Sequence, residues 1–321
     1  MKPQGSFRER GECRPAVTLA HLSDPHLTQW SVDKLQLLFN KRLRAWLSWH
    51  LSGRRIHLRR ILDSMLEDLS GQAPDHIVVT GDLVNLALPQ EFENAARWLR
   101  NLGPPEKVTV IPGNHEAYVR VPDAEGIGRW HDYMRSLAWD SAVSTGVYHD
   151  RFPFVRRLGP IAIIGLSTAV PTPLLCGFGL LGQRQLKLLH AILAKLEGEN
   201  TFRIVLIHHP PVQSVGSYRH RHLVDAEHFM NVVADAGAEL VLHGHAHVTC
   251  LGRIGKTPII GVPSASAVKH RYKDAAAYNL YRITHADRHW TLSVETRALS
   301  DDERRFKLAQ HFTLEIPCRG A

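Results

Sequence analysis

Short apolar runs that stop abruptly at Gly, Pro, Asp or His recur along this 321-residue chain, and they constrain its fold more than any other feature. One of them, Ile77–Asn85, reads Ile-Val-Val-Thr-Gly-Asp-Leu-Val-Asn. Ile77 to Thr80 favour β structure and have the length of a buried strand. Gly81 ends the run and Asp82 follows at once. A carboxylate just past the C-terminal end of a buried strand stands where open α/β sheets place their ligands. Taken singly, Gly-Asp is also an ordinary turn or helix N-cap. The same arrangement, with metal-ligating residue types, returns at four other strand ends.

Val17–Leu22 reads as the first buried strand and runs into Ser23-Asp24-Pro25-His26. Alternate side chains of an extended segment share a side, so Asp24 and His26 can reach one ion. Residues 30–52 form an amphipathic pattern, with Leu35, Leu38, Phe39, Leu43, Trp46 and Leu47 at helical steps and Lys41, Arg42 and Arg44 between them. A second stripe, Leu58, Ile61, Leu62, Met65, Leu66 and Leu69, suits the crossover helix of a βαβ unit leading to Ile77. After Asp82 comes Asn85 and a helix from about Gln90 to Leu102. Val108–Ile111 is a strand that ends in Pro112-Gly113-Asn114-His115-Glu116. Ile161–Leu166 is another, and the Pro- and Gly-rich 171–182 segment reads as a mobile loop before a helix over 186–196. Arg203–Ile207 is a strand that runs into His208-His209-Pro210-Pro211. The 216–223 loop, with Tyr218, Arg219, His220, Arg221 and His222, is a candidate phosphate contact through Arg219 and Arg221. Leu240–Leu242 leads into His243-Gly244-His245-Ala246-His247, three histidines at alternate positions, which a satisfied core rarely needs. From Ile259 onward, alternation at Tyr278, Leu280 and Ile283 and at Trp290, Leu292 and Val294 predicts closing antiparallel strands over about 276–317.

Composition excludes several classes. No Cys-x-x-Cys spacing occurs among Cys13, Cys176, Cys250 and Cys318, so neither a disulfide framework nor a zinc knuckle is expected, and reduced thiols fit a cytoplasmic protein. No apolar run approaches the roughly 20 residues of a spanning helix, and the polar segment 1–14 lacks a signal-peptide core. The net charge of +8 is uneven: Lys41 to Arg60 holds seven Lys/Arg and no Asp/Glu. Such a block suggests an anionic partner, whether phosphate-bearing substrate, phospholipid or nucleic acid. With Trp46 and Trp49, the 30–60 segment suits a membrane surface, a cap over the site, or simply a solvated basic face.

The candidate ligands are Asp24, His26, Asp82, Asn114, His208, His245 and His247: two carboxylates, one amide oxygen and four imidazoles, with no thiolate. That set exceeds one tetrahedral zinc site and suits two divalent ions that share a bridging group, with manganese, iron and zinc all permitted.

In order, Asp-x-His (24–26), Gly-Asp (81–82), Gly-Asn-His-Glu (113–116), His (208) and Gly-His-x-His (244–247) resemble the motifs of the calcineurin-like metallophosphoesterases, over residues 17 to about 263. The resemblance implies an α/β fold, a four-layer α-β-β-α sandwich of two mixed sheets flanked by helices. Here it would be one domain over 1–321, carrying the basic helix of about 30–52 as an insertion. It implies that Asp24, His26 and His247 hold one ion, that Asn114, His208 and His245 hold the other, and that Asp82 bridges them. It also implies that a metal-bridging hydroxide attacks phosphorus, with His115 beside the leaving oxygen as catalytic acid or stabiliser of the developing charge, and as substrate contact. His209 is not an expected ligand, and His243 would support the site from behind.

Within that family, the Gly-Asn-His-Glu and His-His-Pro-Pro forms are similar to those of bacterial phosphodiesterases acting on cyclic nucleotides or glycerophosphodiesters. The expectation is therefore a phosphodiesterase for small diesters. The alternative, carried by the basic 30–60 segment, is a peripheral membrane hydrolase of a phospholipid or lipid-linked nucleotide diphosphate. A nuclease is less favoured because the basic residues cluster in one segment and no aromatic-lined channel is readable. Residues alone do not fix the oligomeric state.

Overall fold

The computed structural model describes residues 16–27, 42, 56–136, 151–174, 176–212, 222–270, 273–286, 289–302 and 305–318. Two six-stranded sheets form its centre. The first contains β1 (Val17–Leu22), β2 (His76–Val79), β3 (Val108–Val110), β10 (Ala277–Ala286), β11 (His289–Leu299) and β12 (Phe306–Pro317), in the order β12-β11-β10-β1-β2-β3. The second contains β4 (Phe154–Leu158), β5 (Ile161–Gly165), β6 (Phe202–Leu206), β7 (Leu240–His243), β8 (Cys250–Ile254) and β9 (Thr257–Gly261), in the order β4-β5-β6-β7-β9-β8. Strands β1, β2 and β3 are mutually parallel, as are β5, β6, β7 and β9. Each sheet adds antiparallel strands, so both are mixed.

Period-2 alternation sorts the residues of the second sheet onto two faces. Ile161, Ile163, Ile204, Leu206, Leu240 and Leu242 join the core shared with the first sheet. Their neighbours Ala162, Ile164, Val205 and Val241 pack instead with α3 (Gly182–Glu197) and α4 (Ala226–Ala236), through Leu186, Leu189, Leu193, Phe229 and Val233. A sheet covered on both faces needs unbroken apolar strands, which is what these runs supply. Helices α1 (Arg59–Gln72) and α2 (Pro89–Leu102) add Ile61, Leu62, Met65, Phe92, Ala95 and Leu99 to the first core. The layers are therefore helix, sheet, sheet, helix.

Parallel strands align their C-terminal ends, and this positions the site. The segments after β1, β2 and β3 deliver Asp24, Asp82 and Asn114, and those after β6 and β7 deliver His208, His245 and His247. The crossover helix expected from Leu58 to Leu69 is α1, lying between the parallel strands β1 and β2. The expected helix over 30–52 lies outside the described residues, apart from Arg42. No helix among the described residues is long and apolar enough to cross a membrane.

Buried imidazoles far from the strand tips make the fold sensitive to acid. His76 is buried against Thr109 Oγ1 at 2.7 Å. Burial and the nearby Arg156 charge lower it from 6.5 to about 4. Between those values the unfolded chain binds a proton that folded His76 refuses, so stability falls on acidification through that window and is restored as the pH rises. We expect His76 alone to account for up to about 3 kcal/mol of the loss between pH 7 and 4. Urea midpoints in chelator should fall over this range, and His76→Gln should flatten the slope; an unchanged slope would remove His76 from the account.

Candidate metal centre

Five of the seven expected ligands occupy left-handed backbone: Asp24 (φ 52), His26 (φ 44), Asp82 (φ 55), His245 (φ 64) and His247 (φ 56). Non-glycine residues rarely sit there, and Asp and His are among those that tolerate it best. Each costs on the order of 1 kcal/mol, which surrounding contacts must offset. Two glycines allow the strand ends to close together. Gly81 has φ +102, and a Cβ on it would come within 2.6 Å of Gly113 N and 2.7 Å of His208 Nδ1. A Cβ on Gly113 would meet Asp82 Oδ1.

The side chains converge across the two sheets. Asp24 Oδ1 lies 3.0 Å from His247 Nε2, and Asp24 Oδ2 accepts the His245 N–H at 3.0 Å. His26 Nε2 is 3.5 Å from His247 Nε2. On the other side, Asp82 Oδ2 is 3.3 Å from His208 Nε2, which is 3.2 Å from Asn114 Oδ1. His208 Nδ1–H donates to Thr80 O at 2.6 Å, which fixes the ring and turns Nε2 inward. Asp82 belongs to two groups whose donor atoms lie within 4.8 Å of one another, His26–Asp82–His115 and Asp82–His208–His245. His115 Nδ1–H donates to Asn85 O at 2.7 Å, leaving Nε2 4.0 Å from Asp82 Oδ2. Its side chain keeps 31% of its exposure whereas that of Asp82 is buried, so His115 is the more accessible of the two.

Two buried carboxylates brace the loop that carries Asp82. Glu116 accepts the N–H groups of Asp82 (2.9 Å), Leu83 (2.7 Å), Val84 (3.0 Å) and Gly113 (2.6 Å). Glu91, in the first turn of α2, accepts those of Asn85 (3.2 Å), Leu86 (2.9 Å) and Leu88 (3.0 Å). Arg42 closes the same loop from outside, donating to Leu86 O at 2.9 Å and Ala87 O at 2.6 Å. Burial and the Asp82 charge push the Glu116 carboxyl up to about 7, against the pull of the donated N–H groups. Glu116→Gln would turn an amide NH2 toward these donors. We expect it to cost about 2–4 kcal/mol of stability and to weaken metal binding, read by thermal melts with and without metal. An unchanged melt would refute the bracing role.

The electrostatics suit cations. Burial works against charge on Asp24 and Asp82, but His247 beside the first and His208 beside the second hold both below the usual carboxylate range. Burial, reinforced by His115, drops His26 to about 3. Burial keeps His247 low and His245 well below 6.5. His208 is the exception: despite burial, the Asp82 carboxylate pulls it up to about 9. Burial thus holds His26, His245 and His247 toward the neutral form that ligates a metal, and on His208 a divalent ion would take the place of the proton that Asp82 favours. Two neutral nitrogens and a carboxylate oxygen meeting at 3.0–3.5 Å need a proton or a cation between them, so the donor set fits divalent ions.

All seven expected ligands and His115 therefore come together. Arg219 and Arg221 lie outside the described residues. His209, not expected as a ligand, is buried with both nitrogens engaged, Nε2–H to Gly177 O at 3.0 Å and Nδ1 with Thr168 Oγ1 at 2.7 Å. In the expected loop over 171–182, Gly177 O accepts from His209, Leu180 N donates to Thr168 O and Leu181 N donates to Asp225 Oδ1. Two residues beside the expected ligands lie outside the strand-end motifs: Lys273, whose Nζ is 3.1 Å from His247 Nδ1, and His57, whose ring lies 4.5 Å from that of His26.

The sequence profile described as calcineurin-like phosphoesterase matches residues 17–249. The chain is 26% identical over 205 residues to a probable cyclic nucleotide phosphodiesterase of Synechococcus sp., covering 62% of this chain and 68% of that one. It is 25% identical over 240 residues to a 3',5'-cyclic-nucleotide phosphodiesterase of Nostoc sp., covering 72% and 79%. Among solved structures, a dimetal phosphatase from Danio rerio superposes with a TM-score of 0.60 at 11% identity, over 94% of this chain and 99% of that one. A purple acid phosphatase from yellow lupin seeds gives 0.56 at 13% identity, over 93% and 53%. With the profile spanning most of its length and the strand-end residues gathered at one point between the sheets, the chain belongs to the calcineurin-like phosphoesterases and is a metal-dependent phosphoester hydrolase.

Proposed function

We propose that this enzyme hydrolyses small phosphate diesters, cyclic nucleotides or glycerophosphodiesters among them, at a centre of two divalent ions. Asp24, His26 and His247 hold one ion, Asn114, His208 and His245 hold the other, and Asp82 lies between them. The observation that carries this reading is the position of Asp82, shared by two donor groups and within 3.3 Å of His208 Nε2. The relatives named cyclic nucleotide phosphodiesterases support the substrate class.

When bound, two such ions supply a water ionised at neutral pH and neutralise charge on the phosphoryl oxygens. The chain's own residues do the rest. His115, with Nδ1–H committed to Asn85 O, presents Nε2 at the exposed rim. As an imidazolium it delivers the Nε2 proton to the leaving oxygen as the P–O bond breaks and the water oxygen bonds to phosphorus. Glu116 and Glu91 keep the Asp82 loop from shifting. Arg42, the described residue of the basic insertion, donates to the carbonyls of that loop and helps hold it.

The test is turnover after metal is stripped and manganese, iron or zinc is added back. Bis-p-nitrophenyl phosphate and cyclic AMP should be cleaved, and p-nitrophenyl phosphate less well. A lipid-linked nucleotide diphosphate as the one substrate turned over would replace the small-diester reading with the membrane one. No cleavage of any diester with any of the three metals would sink both.

A further inference from the structure

The motif residues supply two imidazoles, His26 and His247, on the Asp24 side of the centre. A third imidazole stands beside them. His57 has its ring centroid 4.5 Å from that of His26 and 5.7 Å from that of His247. The donor atoms of His26, His57 and His247 lie within 4.8 Å of one another.

His57 is not a chance neighbour on a loose segment. Its backbone pairs antiparallel with Ala267, and hydrogen bonds flank the pair: Leu58 N to Ser266 O at 2.9 Å and Val268 N to Ile56 O at 2.9 Å. Its Nδ1 meets Ser266 Oγ at 2.9 Å and Ser264 Oγ at 3.3 Å. Ser264 Oγ in turn donates to the backbone carbonyl of Asp24 at 2.7 Å. Ser264 Oγ, already donating to Asp24 O, can only accept from Nδ1–H, which leaves Nε2 as the nitrogen with a lone pair for a metal, the usual support for a ligating histidine. Ring position, backbone pairing and hydroxyl support all point the same way.

We infer that His57 is a ligand of the ion held by Asp24, His26 and His247. The inference rests on the dinuclear reading above and deepens it. A third imidazole makes that ion nitrogen-rich, which favours zinc or iron over manganese at this position.

The test uses the full chain with 15N-labelled histidine, titrated with zinc. Ring-nitrogen NMR counts the imidazoles whose nitrogens shift on metal binding. Five are expected, His57 with His26, His208, His245 and His247. His57→Gln should remove one such signal and weaken one of the two zinc sites by about tenfold or more, leaving the other unchanged. Ser266→Ala should weaken the same site. Four shifted imidazoles, with both affinities unchanged in His57→Gln, would overturn the assignment and leave the dinuclear reading intact. The count on the wild-type chain decides the matter even if the variant folds poorly. Uptake of one ion that shifts His57 would uphold the assignment and overturn the dinuclear reading; no zinc uptake would overturn both. A His57 signal that moves on addition of inorganic phosphate and not of zinc would make it a substrate contact instead.

Discussion

Asp82→Asn should abolish metal-dependent hydrolysis while leaving the fold in place. The amide keeps the shape and can still accept the His115 N–H that Asp82 Oδ1 accepts at 2.8 Å. It loses the charge that pulls His208 upward and that two cations would share. Neighbouring divalent ions without an anionic bridge repel each other at full strength in a buried site. We expect kcat to fall at least about 1,000-fold, some 4 kcal/mol of barrier, with an unchanged circular dichroism spectrum. Calorimetric titration should show one ion lost or both weakened. A variant within tenfold of wild-type turnover would take Asp82 out of the centre.

The second large effect belongs to His115 and depends on the leaving group. A proton donor matters when an alkoxide departs and matters little when the departing phenolate is stable without protonation. His115→Ala should therefore lower cyclic AMP turnover by about 100- to 10,000-fold but bis-p-nitrophenyl phosphate turnover by less than about tenfold. Equal losses on the two substrates would mean that His115 stabilises charge or positions Asp82 rather than donating a proton. Its backbone N–H bond to Asp82 Oδ1 survives in the alanine variant, which keeps the two roles separable.

Much of this was readable from local sequence, for local reasons. A strand that ends at Gly-Asp or at Pro-Gly-Asn-His declares both its end and its cargo, and β1, β2, β3, β6 and β7 lie within a residue or two of the expected runs. Long-range pairing is not declared in that way. Nothing around Val17 says that its antiparallel partner is Ile283. Strand β4 carries no apolar-run signal because Arg156 and Arg157 occupy it, yet Arg156 is buried and donates through Nη1 to Val108 O at 2.9 Å. Strands β8 and β9 are a short hairpin with Gly252, Arg253 and Lys256 breaking the apolar pattern. Glu116 was visible in its motif, but a glutamate after a turn reads as surface, and only the folded loop reveals the four N–H groups it accepts. His57 lies in a basic stretch read for its charge, so its imidazole carried no signal until Ala267 paired beside it.

The division of the centre between two sheets has a consequence for the order of events during synthesis. Asp24, Asp82 and Asn114 come from the first sheet and His208, His245 and His247 from the second, with Asp24 and His247 separated by 223 residues. A growing chain therefore carries only the first-sheet half of the proposed ligands until residue 208 is made. Strand β1 must also wait for residues 279–283 before its second edge is covered. We therefore expect stable metal binding to await residues 279–283, and chains that stop before them to be inactive. A ribosome-stalled product ending after His247 would hold every motif histidine yet retain no zinc through gel filtration, whereas retention by such a fragment would show that the first sheet closes without its C-terminal strands.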